Sequence, residues 1–258
     1  MSSEVLLFNN VTSGGGDTPT PTATLTTDSL YTHLDANDID GKKWNDRMGH
    51  YNFVSDASLG LTTTAYNLTC EKMLSNYKMA YCNSFKFGAF PFTLEFTVII
   101  TATQNYGILF SSKANTTAFK LGYRNNGYFG IYSTNMSPNA IDEAMPSSEI
   151  IDGNLHVITF VFASSSKLIT YLDGVKKATI TSTAFSNNLL TVVGYKLGSY
   201  SNESNTASLL TGHLYSFRFY KKELSEYEIR CNWLYEATQG RSSVSSDTEQ
   251  SYFLEKWN

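Results

Sequence analysis

The chain has 258 residues, of which 41% are hydrophobic, 14% aromatic and only 16% charged, and its formal net charge is −4. This length allows one large β-sandwich or two small domains with a sizeable core, and the abundance of Tyr and Phe favours strands over helices. The net negative charge and the lack of clustered Lys and Arg argue against a nucleic-acid partner. No apolar run reaches the roughly 18 residues of a membrane-spanning helix, so no membrane insertion is predicted.

The first 27 residues differ in composition from the rest of the chain. A short apolar run, Val5, Leu6, Leu7 and Phe8, precedes a segment at 12–27 that is rich in Gly, Thr and Pro. Such a segment is a linker, flexible at its glycines and semi-stiff at its Thr-Pro alternation. The apolar run is either an unstructured terminus or a peptide that docks onto a partner protein. The start lacks the pattern of a signal peptide, so synthesis in the cytosol is expected.

Period-2 alternation begins near Leu30 and predicts a succession of short strands. Turn signals separate them, of which Asn126-Gly127 and Asp173-Gly174 are typical of tight hairpins. Many short strands with regular turns predict an all-β, antiparallel two-sheet sandwich of the jelly-roll type. The predicted strands after the first are 92–101, 106–110, 119–123, 128–132, 156–162, 167–172, 175–180, 189–193 and 213–220.

One short C-terminal helix interrupts the strand pattern. Ser225 and Glu228 have the spacing of a capping box and predict a helix that runs to about Ala237. Its apolar face would contain Ile229 and Trp233. The sequence therefore divides into a docking peptide with linker at 1–27, a sandwich domain at 28–241 and a tail at 242–258.

Three segments resemble the laminin-G-like/concanavalin A-like jelly-roll domains of bacterial and bacteriophage proteins. The segment 34–53 is similar to the family's Trp-x-Asp-x-x-Gly turn, 153–174 to its His…Phe…Tyr-x-Asp-Gly hairpin, and 197–229 to its closing strand and helix. The resemblance covers 28–241 and implies the jelly-roll fold. It also implies that Arg218 and Tyr220 brace the closing strand.

No catalytic machinery is expected, although related sandwiches include glycoside hydrolases. A retaining hydrolase needs two carboxylates about 5 Å apart, whereas Glu95 stands alone and is interpreted as an outward-facing strand residue. The four histidines and three cysteines have no zinc-site spacing. A disulfide between Cys70 and Cys82 is disfavoured by cytosolic synthesis but stays open.

Calcium is the one cofactor for which the sequence contains candidate ligands. Asp35, Asp38 and Asp40 precede Gly41, and clustered carboxylates suit hard cations. The EF-hand pattern fails, and Tyr215 stands where many relatives carry an aspartate. Solvated surface aspartates are the competing interpretation.

Two loops have the composition of a carbohydrate-binding site, where aromatic platforms stand beside hydrogen-bonding side chains. The competing interpretation is that these polar loops only keep the domain soluble. The candidate residues are Tyr123, Arg124, Asn125 and Tyr128 in one loop and Tyr200, Asn202 and Asn205 in the other.

The resemblance and the linker lead to a functional hypothesis. The chain is expected to be a non-enzymatic bacteriophage structural, decoration or fibre protein that displays a lectin-like domain on the virion. Its N-terminal segment would bind other virion proteins, its domain would bind cell-surface or mucin glycans, and homo-oligomers are a further expectation. The alternatives are a bacterial surface adhesin or carbohydrate-binding module, and a glycoside hydrolase.

Overall fold

The computed structural model describes residues 21–55, 61–62, 65–67, 80–103, 107–113, 118–124, 127–181, 184–198 and 210–239. The strands are β1 (Leu30–Asp40), β2 (Lys43–Asp46), β3 (Phe53–Val54), β4 (Leu61–Thr62), β5 (Ala65–Asn67), β6 (Ala80–Cys82), β7 (Phe92–Thr103), β8 (Ile108–Ser112), β9 (Lys120–Arg124), β10 (Tyr128–Tyr132), β11 (Met136–Ser137), β12 (Ala140–Pro146), β13 (Leu155–Ser164), β14 (Lys167–Leu172), β15 (Val175–Ile180), β16 (Ala184–Phe185), β17 (Tyr195–Leu197) and β18 (Leu210–Tyr220). The helices are α1 (Asn188–Thr191) and α2 (Glu226–Ala237), with a 3₁₀ turn at Ser147–Glu149.

The strands form two antiparallel layers that are joined through β1. Neighbours are hydrogen-bonded in the order β12-β10-β9-β8-β17-β6-β3-β2-β1-β18-β7-β13-β14-β15. The first half of β1 pairs with β18 and its second half pairs with β2, so this long strand belongs to both layers. We call β12 through β2 the front sheet and β18 through β15, with the start of β1, the back sheet. The predicted two-sheet all-β sandwich with a short C-terminal helix is confirmed.

Aromatic side chains from both sheets fill the space between them. Phe110 of the front sheet stacks on Phe217 of the back sheet with ring centroids 5.2 Å apart. Phe119 of the front sheet lies 6.1 Å from Phe162 of the back sheet. Aromatic pairs at such distances add to the free energy of burial. The Phe-rich composition thus provides the core between the sheets.

The outer face of the back sheet is covered by α2. Ser225 caps the helix, and its side chain and that of Glu228 form the predicted capping box. Ile229 and Trp233 are fully buried and pack on apolar residues of β13, β14 and β18, as the sequence predicts. Trp233 shares its cluster with Tyr215, which is itself buried. No helix of the described residues is long and apolar enough to cross a membrane.

Asp46 organises the turn that the sequence motif predicts. Its Oδ1 accepts hydrogen bonds from the backbone N–H groups of His33 and Met48, at 2.8 and 3.0 Å. Its Oδ2 accepts from the N–H groups of His50 and Tyr51, at 3.0 and 2.8 Å. One carboxylate therefore satisfies four backbone donors and fixes the chain between β2 and β3.

Two local predictions need correction. The strand expected at 189–193 is instead the short helix α1, because an apolar run of this length has no period that separates a strand from a helix. Leu189 is buried there, whereas Val193 is 49% exposed. Glu95 does lie on the outer face of its sheet, but it is fully buried beneath α2.

Several predictions concern residues outside the described ranges, among them the docking peptide Val5–Phe8, the tail at 242–258, and Cys70. The end of the predicted linker is described: Leu25 packs against the cluster under α2, and the N–H of Thr26 donates to Oδ1 of Asn232 at 2.7 Å. Cys82 and Cys231 are free and buried. The Asp173-Gly174 hairpin is confirmed, since both residues have positive φ, at 52° and 74°.

Candidate functional site

A continuous row of side chains crosses the outer face of the front sheet. Successive strand pairings align one residue from each of β2, β3, β6, β17, β8, β9, β10 and β12. We call this set the front row. Its members are Lys43, Val54, Tyr81, Lys196, Ser111, Lys120, Tyr132 and Ala140.

The position of the front row follows from the pleat of the strands. Adjacent residues in a strand point to opposite faces, and the neighbours of the row members are core residues. Trp44 pairs with Phe53, and Cys82 pairs with Tyr195; all four are buried in the core. The row members therefore face away from the core, on the face that α2 does not cover.

Tyr81 is the centre of one cluster at this face. The Lys113 Nζ lies 3.6 Å from the centroid of the Tyr81 ring, a cation–π geometry. The same Nζ donates to Oδ1 of Asn83 at 2.6 Å. Tyr81 and Lys113 are half-buried, while Asn83 is exposed. Exposed Val193 precedes Gly194, whose carbonyl accepts from the backbone N–H of Lys113.

A second aromatic position stands at the other end of the row. The Lys120 Nζ lies 5.2 Å from the ring centroid of Tyr132, its direct partner across β9 and β10. Both side chains are half-buried. Ser111 and Lys196 in the middle of the row are buried. The accessible part of the front row therefore lies towards its two ends, with one aromatic ring and at least one ammonium group at each.

The structure separates the residues predicted for the first loop. Tyr123 pairs with Phe129 and packs against the core, so it does not line the outer face. The side chain of Tyr128, whose backbone pairs with Arg124, is 36% exposed on the other face of the hairpin. Phe129 is the cross-strand partner of Tyr123 and the chain neighbour of Tyr128, and adjacent residues in a strand point to opposite faces, so Tyr123 and Tyr128 lie on opposite faces of the hairpin. Asn125, Tyr200, Asn202 and Asn205 lie outside the described residues.

The aspartates proposed for calcium do not fit a cation site. Arg47 takes up two of them, with its Nη1 3.3 Å from Oδ2 of Asp35 and its Nε 2.6 Å from Oδ2 of Asp38. Asp40 is exposed at the end of β1. The single positive charge of the guanidinium offsets part of the charge of the two carboxylates and repels a metal cation at this place. Across the described ranges, no group of three His, Cys, Asp or Glu side chains is placed to hold a metal ion.

Two carboxylates do come together, but they are closed off from solvent. Glu95 and Glu236 are both fully buried under α2 and both bind Arg218. Burial raises the pKa of Glu95 above its usual range, against the opposing effect of the Arg218 charge. Because no substrate reaches these groups in the folded domain, the pair is structural.

The front-row residues were not identified from sequence, although the signal was present. In Lys120-Leu-Gly and Tyr128-Phe-Gly-Ile-Tyr132, alternation separates Leu121, Phe129 and Ile131 from Lys120, Tyr128 and Tyr132. Period 2 shows that these polar residues share one face. It does not show which strands lie side by side, so the row from β2 to β12 appears only in the sheet.

The match to a family model covers residues 75–230, more than half of the chain, and the model describes the concanavalin A-like lectin/glucanases superfamily. The chain belongs to this superfamily. The predicted resemblance is thereby confirmed, and the domain is lectin-like. The matched range includes the second and third predicted motifs and most of the front row. Comparison with curated protein sequences gives no match.

Solved structures with the same fold include domains of two larger proteins. The Trypanosoma rangeli sialidase in complex with 2,3-difluorosialic acid aligns with a TM-score of 0.60 and 14% identity, over 83% of this chain and 34% of the sialidase. The binding domain of botulinum neurotoxin DC, in complex with rat synaptotagmin II, aligns with a TM-score of 0.57 and 12% identity, over 80% of this chain and 51% of that domain. The chain thus spans about a third to a half of these neighbours, and the likeness shows the fold alone.

Proposed function

We propose that this chain is a non-enzymatic carbohydrate-binding protein whose glycan site is the outer face of the front sheet. The proposal rests on a difference between the two outer faces of the sandwich. That of the back sheet is occupied by α2, whereas that of the front sheet keeps Tyr81 and Tyr132 partly accessible, on either side of the buried middle of the row. A lectin-like superfamily domain with one such face is suited to a sugar ligand.

The side chains at the two ends of the row have the chemistry that sugars require. Tyr81, Tyr128 and Tyr132 offer apolar ring surfaces with a polar hydroxyl. Asn83, Lys113 and Lys120 offer hydrogen-bond donors beside those rings. Tyr81 and Tyr132 are four strand spacings apart, about 19 Å along the sheet. A single sugar ring cannot contact both tyrosines, so each is a separate contact point for a glycan.

The absence of catalysis is part of the proposal. Glu95 and Glu236 neutralise Arg218 inside the protein, and Asp35 and Asp38 bind Arg47. These carboxylates are committed to structural ion pairs rather than to an open cleft. A glycoside hydrolase of this superfamily would need a carboxylate pair at the ligand face.

Glycan-array screening of the full chain, followed by calorimetry on the strongest binder, tests the site. We expect Tyr81→Ala and Tyr132→Ala each to weaken binding about tenfold, because each removes a stacking surface. Tyr235→Ala, which truncates a half-buried tyrosine of α2 on the other sheet, is the matched control. Unchanged affinity in both front-row variants, or release of sugar from the array ligand, would overturn the proposal.

We propose further that the protein is carried on bacteriophage particles, with the N-terminal segment bound to other virion proteins. An apolar peptide followed by a Gly-, Thr- and Pro-rich linker, and the resemblance to phage jelly-roll domains, support this location. Mass spectrometry of purified particles, with heads and tails separated, is the test. Detection in one fraction is expected, and absence from both would overturn the virion location while leaving glycan binding intact.

A second candidate is a carbohydrate-binding module of a larger bacterial surface protein. The alignment that covers most of this chain but only 34% of the sialidase favours it, because the same fold there is one part of a longer protein. Recovery of the protein from bacterial surface fractions, together with its absence from particles, would select this candidate.

A further inference from the structure

We propose that the front-sheet site selects glycans that carry acidic groups, and that Lys113 is the residue that recognises the acid. This inference rests on the proposed glycan site and names its ligand class. It starts from the position of Lys113, which follows β8 and places its ammonium against the ring of the front-row residue Tyr81.

Lys113 is held in place by neutral groups. Its ammonium contacts the π-face of Tyr81 at 3.6 Å and donates to the amide oxygen of Asn83 at 2.6 Å. Neither contact cancels its charge. An ammonium has three N–H donors, and the side chain is only half-buried. Among the described residues Lys113 has no ion-pair partner, so it can donate to a ligand carboxylate or sulfate directly.

The backbone of Lys113 is held in place as well as its ammonium group. The N–H of Lys113 donates to the carbonyl of Gly194 at 2.8 Å. The φ of Gly194 is 87°, and a Cβ built on it would lie 3.5 Å from Cβ of Lys113 and 3.5 Å from the carbonyl oxygen of Asn83. The ends of β6 and β8 thus meet the start of β17 at this glycine. A side chain fixed at both ends loses less entropy on binding than a free surface lysine.

The spacing of the charges favours a glycan over a nucleic acid. Lys43 and Lys120 are five strand spacings apart, about 24 Å along the sheet. A nucleic-acid strand carries a phosphate about every 3.4 Å, so most of its charges would face no cation here. Glycans with an acid group on some of their sugars present sparser charges, and their neutral ring faces suit Tyr81, which lies between these two lysines.

Matched pairs of glycans provide the test. The array would contain sialylated, sulfated and uronate oligosaccharides, each beside its desialylated, desulfated or carboxyl-reduced counterpart, and a single-stranded oligodeoxynucleotide. We expect stronger binding to the acidic member of at least one pair, weakened by salt because the interaction is ionic. Equal binding within every pair would overturn this inference but not the glycan site. Binding to no glycan would overturn both, and preference for the oligodeoxynucleotide would overturn the glycan assignment.

Variants of Lys113 decide its role. We expect Lys113→Gln to weaken binding of the acidic member about tenfold or more while leaving the neutral member unchanged, since a hydrogen bond to a charged group is lost. Lys113→Arg, which keeps the charge, should retain the preference. Lys176→Gln, the same change on exposed β15 of the back sheet, is the matched control. An equal loss for both members of the pair, or no loss, would contradict the role of Lys113.

Discussion

Arg218 of β18 and Glu95 of β7 form an ion pair in which neither side chain has any exposed surface. The two residues are direct cross-strand partners, and Nε of Arg218 donates to Oε1 of Glu95 at 2.7 Å. Glu236 of α2 binds the same guanidinium from above, and Asn232 donates to Glu95. The helix α2 therefore packs on a polar network as well as on an apolar surface, and the network fixes the position of the helix on the sheet.

Removing the arginine should be far more damaging than removing one carboxylate. We expect Arg218→Met to lower the free energy of unfolding by about 3–5 kcal/mol, because it leaves two buried carboxylates without a cation. Glu95→Gln should cost less, since the raised pKa of Glu95 shows that its neutral form is tolerated there. Urea unfolding followed by Trp fluorescence measures both.

The control for this pair is a surface ion pair of the same type. Lys177 binds Glu149 with both side chains partly exposed, so Lys177→Met should cost no more than about 1 kcal/mol. Equal losses for the lysine and arginine variants would show that the buried network does not stabilise the docking of α2.

The hydroxyl of Tyr195 is predicted to contribute nothing to stability. Its ring stacks on Phe110 at 5.0 Å, but its buried OH has no hydrogen-bond partner among the described residues, and burial raises the pKa of this phenol well above its usual value. Tyr195→Phe should leave the free energy of unfolding unchanged or raise it by about 1 kcal/mol. The comparison is Tyr220→Phe, which removes the hydroxyl that accepts a hydrogen bond from Asn232 at 3.0 Å and should lower the free energy of unfolding. A larger loss for Tyr195→Phe than for Tyr220→Phe would contradict the prediction.

Asp46, the buried last residue of β2, should be highly sensitive to substitution. Asp46→Ala leaves four backbone N–H groups without their acceptor, and we expect a loss of about 2–4 kcal/mol. Asp40→Ala, at an exposed position in the preceding strand, should change stability by less than about 0.5 kcal/mol. Thermal unfolding of the two variants in parallel gives the answer, and similar melting temperatures would count against the role of Asp46.

His156 should make stability depend on pH in the neutral range. Its Nδ1 and Nε2 each lie 2.9 Å from a carboxylate oxygen, of Asp173 and Asp152 respectively. Burial alone would lower the pKa of His156, but the two carboxylates outweigh it and raise the pKa above its usual value. The folded state therefore stabilises the charged form of His156 relative to the unfolded state.

The sign of the effect follows from linkage. Because the folded pKa lies above the unfolded value of about 6.5, the contribution of His156 is fully present below that pH and is lost as the pH rises through the folded pKa. Denaturant unfolding between pH 6 and about 9 should show this loss, and His156→Gln should remove it. His50→Gln, at an exposed histidine, should leave the slope unchanged; a slope that survives in the His156 variant would rule out this origin.

The sequence alone determined the fold class and most of its local features. Alternation predicted the strands, Asp173-Gly174 predicted a turn with two positive φ angles, and the Ser225–Glu228 spacing predicted the cap of α2. These features depend on residues close in the chain, for which periodicity and turn chemistry carry the information. The apolar run at 189–193 was too short for periodicity to distinguish a helix from a strand.

Only the tertiary structure decided which residues share a surface. Tyr81 and Tyr132 are 51 positions apart in sequence and enter one row because β17, β8 and β9 lie between their strands. Glu95 follows the outward pattern of a solvated residue, yet α2 arrives from more than a hundred residues later and buries it with Arg218. Strand order and helix docking depend on long-range contacts, and no local pattern of side chains records them.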